Sequence, residues 1–389
     1  MKYINYGRQS ISRDDIREVN KTLRSNFLTT GPKVYQFENK FSKYTGAKYS
    51  VSCSNGTAAL YLAFRAIGLT KNDVVIIPAI NFIAAANTAS ILNAKIYLSD
   101  VDPSNGQMTP ELLKKCIKEN KIKKLKAICT MHNGGNPLYA KEIYKISRDE
   151  SCFLIEDACH SLGGKYDLNN NFKVGSCKYS DISTFSFHPV KTITTGEGGM
   201  ITTNKLFLKN NILTYRNHGI HKTITPKKNN WSYDVIDHSF NFRLSDIQAA
   251  LGYSQLKKID KFIFKRKKIS EIYNSELKNH NFLNIKNNIV KGTLSSWHLY
   301  ILNINFKKLK IKKETLIQKL YEKKIVVQIH YIPSFFYKKF RYLNNKRNYP
   351  GANNFFKNCI SLPIYPNLKN AEIKKIIKVL KRILTENVR

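Results

Sequence analysis

Short apolar runs alternate with helix-period stripes through the first half of the chain. Asp73-Val-Val-Ile-Ile-Pro78 and Ala94-Lys-Ile-Tyr-Leu98 read as buried strands. So do Leu125-Lys-Ala-Ile-Cys-Thr-Met131, Cys152-Phe-Leu-Ile155, Ile182 to Phe187 and Gly199-Met-Ile-Thr-Thr203. Between such runs lie helical patterns such as Leu60, Ala63, Phe64 and Ile67, spaced at three and four residues. Strands alternating with helices predict a mostly parallel sheet covered on both faces, with ligands at the carboxyl ends of the strands.

After this region the pattern changes. Ser245-Asp-Ile-Gln248 matches a capping box, and Leu244, Ile247, Ala250 and Leu251 keep one apolar stripe. The spacing predicts a long helix from Ser245, continuing as a charged helix to about Leu277. Beyond about 280, strands are expected at Trp297–Ile304 and Ile325–Ile329. A terminal helix, Ala371 to Leu384, carries Ile373, Ile376, Ile377 and Leu380 on one face. The 389 residues are expected to form two domains: a large domain over 1–250 and a smaller α+β domain over 251–389.

Composition adds limits. The N-terminal Met1-Lys-Tyr-Ile-Asn-Tyr-Gly-Arg has no apolar leader core. The most membrane-like stretch, Ala79 to Leu98, is broken by Asn81, Asn87, Asn93 and Lys95, so it reads as helix plus strand. Seven cysteines without metal spacing suggest free thiols in a reducing cytoplasm. The net charge of +38 comes from lysines spread along the chain among Asn and Ile. No arginine-rich arm, zinc spacing or aromatic-basic motif accompanies them. A solvated basic surface that attracts small anions is expected, not a nucleic-acid interface.

The candidate chemistry sits beside the strand ends. Lys191 lies in Ser183-Thr-Phe-Ser-Phe-His-Pro-Val-Lys191-Thr-Ile-Thr-Thr-Gly-Glu-Gly-Gly199. A lysine past a strand and before a glycine-rich turn is placed to hold an aldehyde cofactor through its amine. A buried setting with nearby positive charge is expected to lower its pKa. Asp157 follows the strand run Phe153-Leu-Ile155, where its carboxylate can pair with a ring nitrogen and keep it protonated. His160 follows three residues on. Cys53-Ser-Asn-Gly56-Thr57 opens a helix capped by Ser54 or Asn55, whose free N–H groups suit a phosphate.

Together these residues resemble the DegT/DnrJ/EryC1/StrS sugar aminotransferases, fold-type-I enzymes that use pyridoxal 5'-phosphate. The resemblance runs from Phe27-Leu-Thr-Thr-Gly31 and Phe37-Glu38 to Ser361-Leu-Pro-Ile-Tyr-Pro366. Its most specific blocks are Ser186 to Gly199 and Phe240-Asn241-Phe-Arg243-Leu-Ser-Asp-Ile-Gln248-Ala-Ala-Leu-Gly252. It implies that Lys191 is the Schiff-base lysine, Asp157 the partner of the pyridine nitrogen, and His160 the ring-hydroxyl contact. Gly56, Thr57 and Ser186 resemble the phosphate set, and Phe82 the aromatic stacked on the ring. Asn241 resembles the residue that reaches the phosphate from a neighbouring subunit, which implies a homodimer with a shared site. Thr29, Thr30, Arg243 and His330 are substrate-pocket candidates on the same ground.

Within the family, four features resemble the branch that aminates a UDP-linked 4-keto-6-deoxy sugar for pseudaminic acid. They are His160, His298-Leu-Tyr300, Val327-Gln-Ile-His330-Tyr331 and Ser254-Gln-Leu-Lys-Lys258. The implied donor is L-glutamate, and the implied product is UDP-4-amino-4,6-dideoxy-N-acetyl-β-L-altrosamine. Relatives acting on other UDP- or GDP-linked 4-keto sugars, of perosamine or legionaminic type, share much of this pattern. Sugar dehydratases of the same fold carry histidine where this chain has Lys191. No metal site is implied.

Overall fold

A computed structural model describes residues 3–221, 232–285, 292–344 and 349–389. Its centre is a sheet of β1 (Tyr49–Cys53), β2 (Val74–Pro78), β3 (Lys95–Ser99), β4 (Ala127–Met131) and β5 (Phe153–Asp157). After a β6 (Lys165–Asp167) and β7 (Phe172–Lys173) hairpin come β8 (Ile182–Ser186) and β9 (Gly199–Thr203). The order across the sheet is β1-β9-β8-β5-β4-β2-β3. β2, β3, β4, β5 and β8 pair in parallel, whereas β9 runs antiparallel to both β1 and β8. Burial on both faces explains the unbroken apolar runs of β2 and β4, where a half-exposed strand would alternate.

α1 (Arg13–Leu23) packs away from the sheet, and helices α2 (Pro32–Thr45), α3 (Gly56–Ala66), α4 (Ala84–Ile91), α5 (Pro110–Glu119), α6 (Ala140–Asp149) and α7 (Leu206–Arg216) cover it. The Ala79–Leu98 stretch resolves into α4 and β3, as its pattern predicts. Among the described residues, no helix is long and apolar enough to cross a membrane. β1 is one strand that the sequence reading did not name. Its Ser50 and Ser52 are polar, and Ser52 is buried on Glu38 through two hydrogen bonds of 2.8 Å.

The expected long helix is two helices, α8 (Asp246–Leu256) and α9 (Ile259–Leu277), separated at Lys257 and Lys258. The apolar stripe Leu256, Ile259, Phe262, Ile263 keeps helical spacing across the break, so periodicity could not show it. The bend is fixed by a contact distant in sequence. Lys258 Nζ donates to Ser12 Oγ at 2.8 Å and pairs with the buried Asp15 carboxylate. That carboxylate lies below its usual range, because the Lys258 and Ser12 hydrogen bonds outweigh burial, which alone would raise it.

The remaining elements are β10 (Ile220–His221), β11 (Asp234–Val235), β12 (Leu283–Asn284), β13 (Tyr300–Ile304), α10 (Lys313–Glu322), α11 (Pro350–Asn358), β14 (Cys359–Leu362) and α12 (Asn370–Thr385). β12, β13 and β14 form a small antiparallel sheet. Faces of α9, α10 and α12 pack on it in a core that includes Tyr273, Tyr300, Leu316, Ile376 and Ile4. The Trp297–Ile304 strand begins only at Tyr300, since Trp297 has φ 52° and cannot join a ladder. Ile325–Ile329 is extended but makes only single bridges, Ile325 to Ile4 and Gln328 to Ser361, in place of a strand.

Arg266 of α9 locks the approach to β13. It is 1% exposed, and its Nη1 donates to the carbonyls of Trp297, His298 and Ile364 at 3.3, 3.2 and 2.8 Å. Burial pushes its pKa down to about 10. Arg266→Met keeps the length of the side chain but strands three buried carbonyls, so it should cost roughly 2–4 kcal/mol. A lowered urea midpoint at unchanged slope checks this; an unshifted midpoint would show that the carbonyls find other partners.

Candidate active site

The carboxyl ends of β5 and β8 open into a cavity of about 810 Å³. Register explains which residues meet there. Gly199 pairs with Ser186 on one side and Cys53 on the other, so the end of β1 lies beside the end of β8. A Cβ on Gly199 would collide with the Asn55 carbonyl. The chain then turns into α3, with Asn55 as N-cap accepting the Ala58 N–H at 2.8 Å. The N–H groups of Gly56 and Thr57 face no intrahelical acceptor at this first turn. A Cβ on Gly56 would lie 2.8 Å from Ser186 Cβ, so only glycine lets the helix start close on Ser186. Two free donors, a hydroxyl and the positive helix end make a cradle fitted to a phosphate.

Asp157, the last residue of β5, is 2% exposed in the cavity floor. Alternation along the strand sends Glu156 to the opposite face. There His132 Nε2 lies 2.5 Å from Glu156 Oε1, while Tyr166 and Ser183 hydroxyls donate to the same carboxylate at 2.6 Å. Burial would raise the Glu156 carboxyl, but the charge and hydrogen bond of His132, with Ser183 and Tyr166, hold it low. Asp157 behaves differently. Burial pushes its pKa up, and only the Cys159 contacts and the more distant charges of Lys191 and His132 oppose that. Its Oδ1 accepts the Cys159 N–H at 3.1 Å, and no ion pair holds it among the described residues. A protonated ring nitrogen is the partner such a carboxylate lacks.

Lys191 stands in the turn after β8, half-buried, and lines the same cavity. Burial lowers its pKa, whereas Cys159 and Asp157 act to raise it. No neighbouring positive charge contributes, so the expected cause is corrected: burial is the one effect that lowers it. The glycines after it shape the turn, Gly196 at φ 81° being the one that needs the left-handed region.

The far wall is aromatic and neutral. Phe82, His160, His298, His330 and Tyr331 all line the cavity. Phe82 packs on Tyr331 with ring centroids 5.6 Å apart, and His298 on His160 at 4.3 Å. His160 is 1% exposed, and burial, then the Lys191 and His330 charges, hold its pKa well below the usual histidine range. Burial takes His330 down to about 3, and its Nδ1 lies 2.9 Å from Ser361 Oγ.

Gly56, Thr57, Phe82, Asp157, His160, Ser186, Lys191 and His330 therefore converge, while Thr29, Thr30, Asn241 and Arg243 lie outside the cavity. The 240–242 segment presents Phe240 and Phe242 to the cavity, and the intervening Asn241 falls on the other side. Asn241 Oδ1 accepts the Arg243 N–H at 3.1 Å, and the Arg243 guanidinium donates to Asn217 Oδ1 instead of forming a salt bridge. Thr29 and Thr30 are exposed in a turn pinned to α8, where Gly31 and Lys33 N–H groups donate to Asp246 at 2.7 and 2.8 Å. Sequence reasoning assigned no role to His298, Tyr331, Tyr6 or Cys159, although all four line the cavity. The first two stand inside the quoted His298-Leu-Tyr300 and His330-Tyr331 segments, which was the available signal.

Comparison with known proteins agrees with this geometry. The chain is 36% identical to a UDP-4-amino-4,6-dideoxy-N-acetyl-beta-L-altrosamine transaminase of Campylobacter jejuni, over 98% of each chain. It is 31% identical to a GDP-perosamine synthase of Escherichia coli O157:H7, over 96% of each. Among solved structures, Helicobacter pylori PseC, an aminotransferase involved in the biosynthesis of pseudoaminic acid, superposes with a TM-score of 0.91. That match has 28% identity and covers 99% of this chain and all (100%) of the other. The profile of the DegT/DnrJ/EryC1/StrS aminotransferase family matches residues 9–381, and the chain belongs to that family.

Proposed function

We propose that this chain moves an amino group from L-glutamate to C4 of a nucleotide-linked 4-keto-6-deoxy sugar, with pyridoxal 5'-phosphate as its cofactor. UDP-4-amino-4,6-dideoxy-N-acetyl-β-L-altrosamine is the product that the relatives favour. One observation carries the reading: a buried carboxylate without a cationic partner, an amine whose pKa burial lowers and an anion cradle share one cavity.

Bound there, pyridoxal phosphate would supply an aldehyde and a protonated ring that takes up electrons. Asp157 would hold the ring nitrogen in its protonated form. The α3 N-terminus, Thr57 and Ser186 would hold the phosphate, and Phe82 would cover one ring face. Lys191 Nζ is the base for the proton on the α carbon of glutamate. In the second half-reaction it returns a proton to C4 of the sugar. The neutral far wall keeps competing charge away from that amine.

A second copy of the chain belongs to the reading. Asn241 is exposed beside Phe240, which is 64% exposed, and Tyr233, Val235 and Ile236 are exposed nearby in sequence. Apolar groups left on a surface in this way suit a partner. A homodimer in which Asn241 reaches the neighbouring phosphate would use them.

Lys191→Ala should abolish turnover and the borohydride-reducible cofactor adduct; normal turnover in that variant refutes the assignment. Asp157→Asn should lower kcat by about 10²-fold or more with the cofactor still bound, the loss expected for a weakened electron sink. Unchanged kcat removes Asp157 from the mechanism. Asn241→Ala should lower cofactor retention on gel filtration, and retention equal to wild type counts against the shared site. Product masses from UDP- and GDP-linked 4-keto sugars with glutamate decide between the two nucleotide classes.

A further inference from the structure

His160 has one proton to give, and the structure shows where it goes. The Gly134 N–H donates to His160 Nδ1 at 3.4 Å, so Nδ1 is an acceptor. Burial keeps the ring neutral, hence Nε2 carries the proton. Tyr331 Oη lies 2.8 Å from that Nε2 and accepts from it. The phenol's own hydrogen then has no protein acceptor among the described residues, although Tyr331 lines the cavity. Burial keeps Tyr331 protonated, so it remains a donor. Resemblance gives the ring-hydroxyl contact to His160, but the hydrogen-bond count leaves His160 nothing to offer a ligand.

We propose that Tyr331, oriented by His160, donates the hydrogen bond to the anionic ring oxygen of the cofactor. The inference rests on pyridoxal phosphate being the ligand. Tyr331 is then a cofactor contact on the 330–331 segment, and His160 a positioning residue whose tautomer is set by the Gly134 backbone. The other titratable groups around Tyr331 are Asp157, Cys159, Tyr6 and Tyr337, with His330 beside it in the chain.

The test is spectroscopic. Apo-protein is titrated with pyridoxal phosphate, and the visible band is followed against pH in wild type, Tyr331→Phe and His160→Gln. Far-UV circular dichroism melting confirms that each variant is folded. Loss of the donor leaves the ring oxygen more basic, so Tyr331→Phe should raise the pH midpoint of the band by about one unit and weaken cofactor binding roughly tenfold. His160→Gln retains an amide N–H for Tyr331 and should move the midpoint less. A Tyr331→Phe midpoint equal to wild type, with the band present, overturns the proposal. A larger shift in His160→Gln than in Tyr331→Phe overturns it too and returns the contact to His160. A wild-type protein that gives no band overturns the cofactor reading itself, and this inference with it.

Discussion

The site depends on one strand running against its neighbours. β9 enters the sheet between β1 and β8, and its first residue is shared by the ends of both. Antiparallel pairing at that point brings a helix start, a serine and the lysine turn to the same sheet edge. Had β9 run parallel, Gly199 would stand beside Ile182, at the opposite end of β8 from Ser186. Glycine at 56 and at 199 is the steric condition for this arrangement, because each faces backbone or side-chain atoms too close for a Cβ. Backbone geometry, before any side chain, decides that the N–H groups at the start of α3 and the Lys191 amine converge.

Electrostatics follows from burial more than from charge pairing. On one face of β5, Glu156 is surrounded by His132, Tyr166 and Ser183, and it stays ionised. On the other, its neighbour Asp157 has a single backbone donor and an open cavity. Adjacent residues of one strand thus carry opposite assignments, one structural and one free for a ligand. The three histidines of the far wall are all depressed by burial, so they contribute hydrogen-bond geometry without positive charge. Among the described residues, Lys191 is the only lysine that lines the cavity, although the chain carries a net charge of +38.

Much of this was legible in the sequence because it is local. Continuous apolar runs located β2, β3, β4, β5, β8 and β9, and the residues just after them supplied Asp157 and Lys191. The capping box at Ser245 stands as read, with Gln248 Oε1 accepting the Ser245 N–H at 3.1 Å. What escaped was set by partners distant in the chain. The break between α8 and α9 depends on Lys258 meeting Asp15 across 243 positions. The polar β1 is held by Glu38, and Trp297 is turned out of β13 where Arg266 binds its carbonyl. Within the site, His160 was found by motif, but its tautomer needed Gly134, and its partner Tyr331 is 171 positions away. No single-chain pattern announces a hydrogen bond of that reach.

Arg266 ties the segment before β13 to the stretch that carries Ile364. It rises from α9, within the C-terminal core region, and grips the carbonyls that precede β13, including that of His298. The segment with His330 and Tyr331 is likewise tied to Ser361 of β14. The cavity therefore has a floor built by the large sheet, while the part of its ceiling that carries His298, His330 and Tyr331 hangs from the small one. That ceiling is also pinned to the large-sheet side, by the Ser334 N–H on the Ala79 carbonyl at 3.0 Å and the Asn133 amide on the His330 carbonyl at 3.4 Å, so grip on the anion and alignment of the reacting carbon rest on one connected frame.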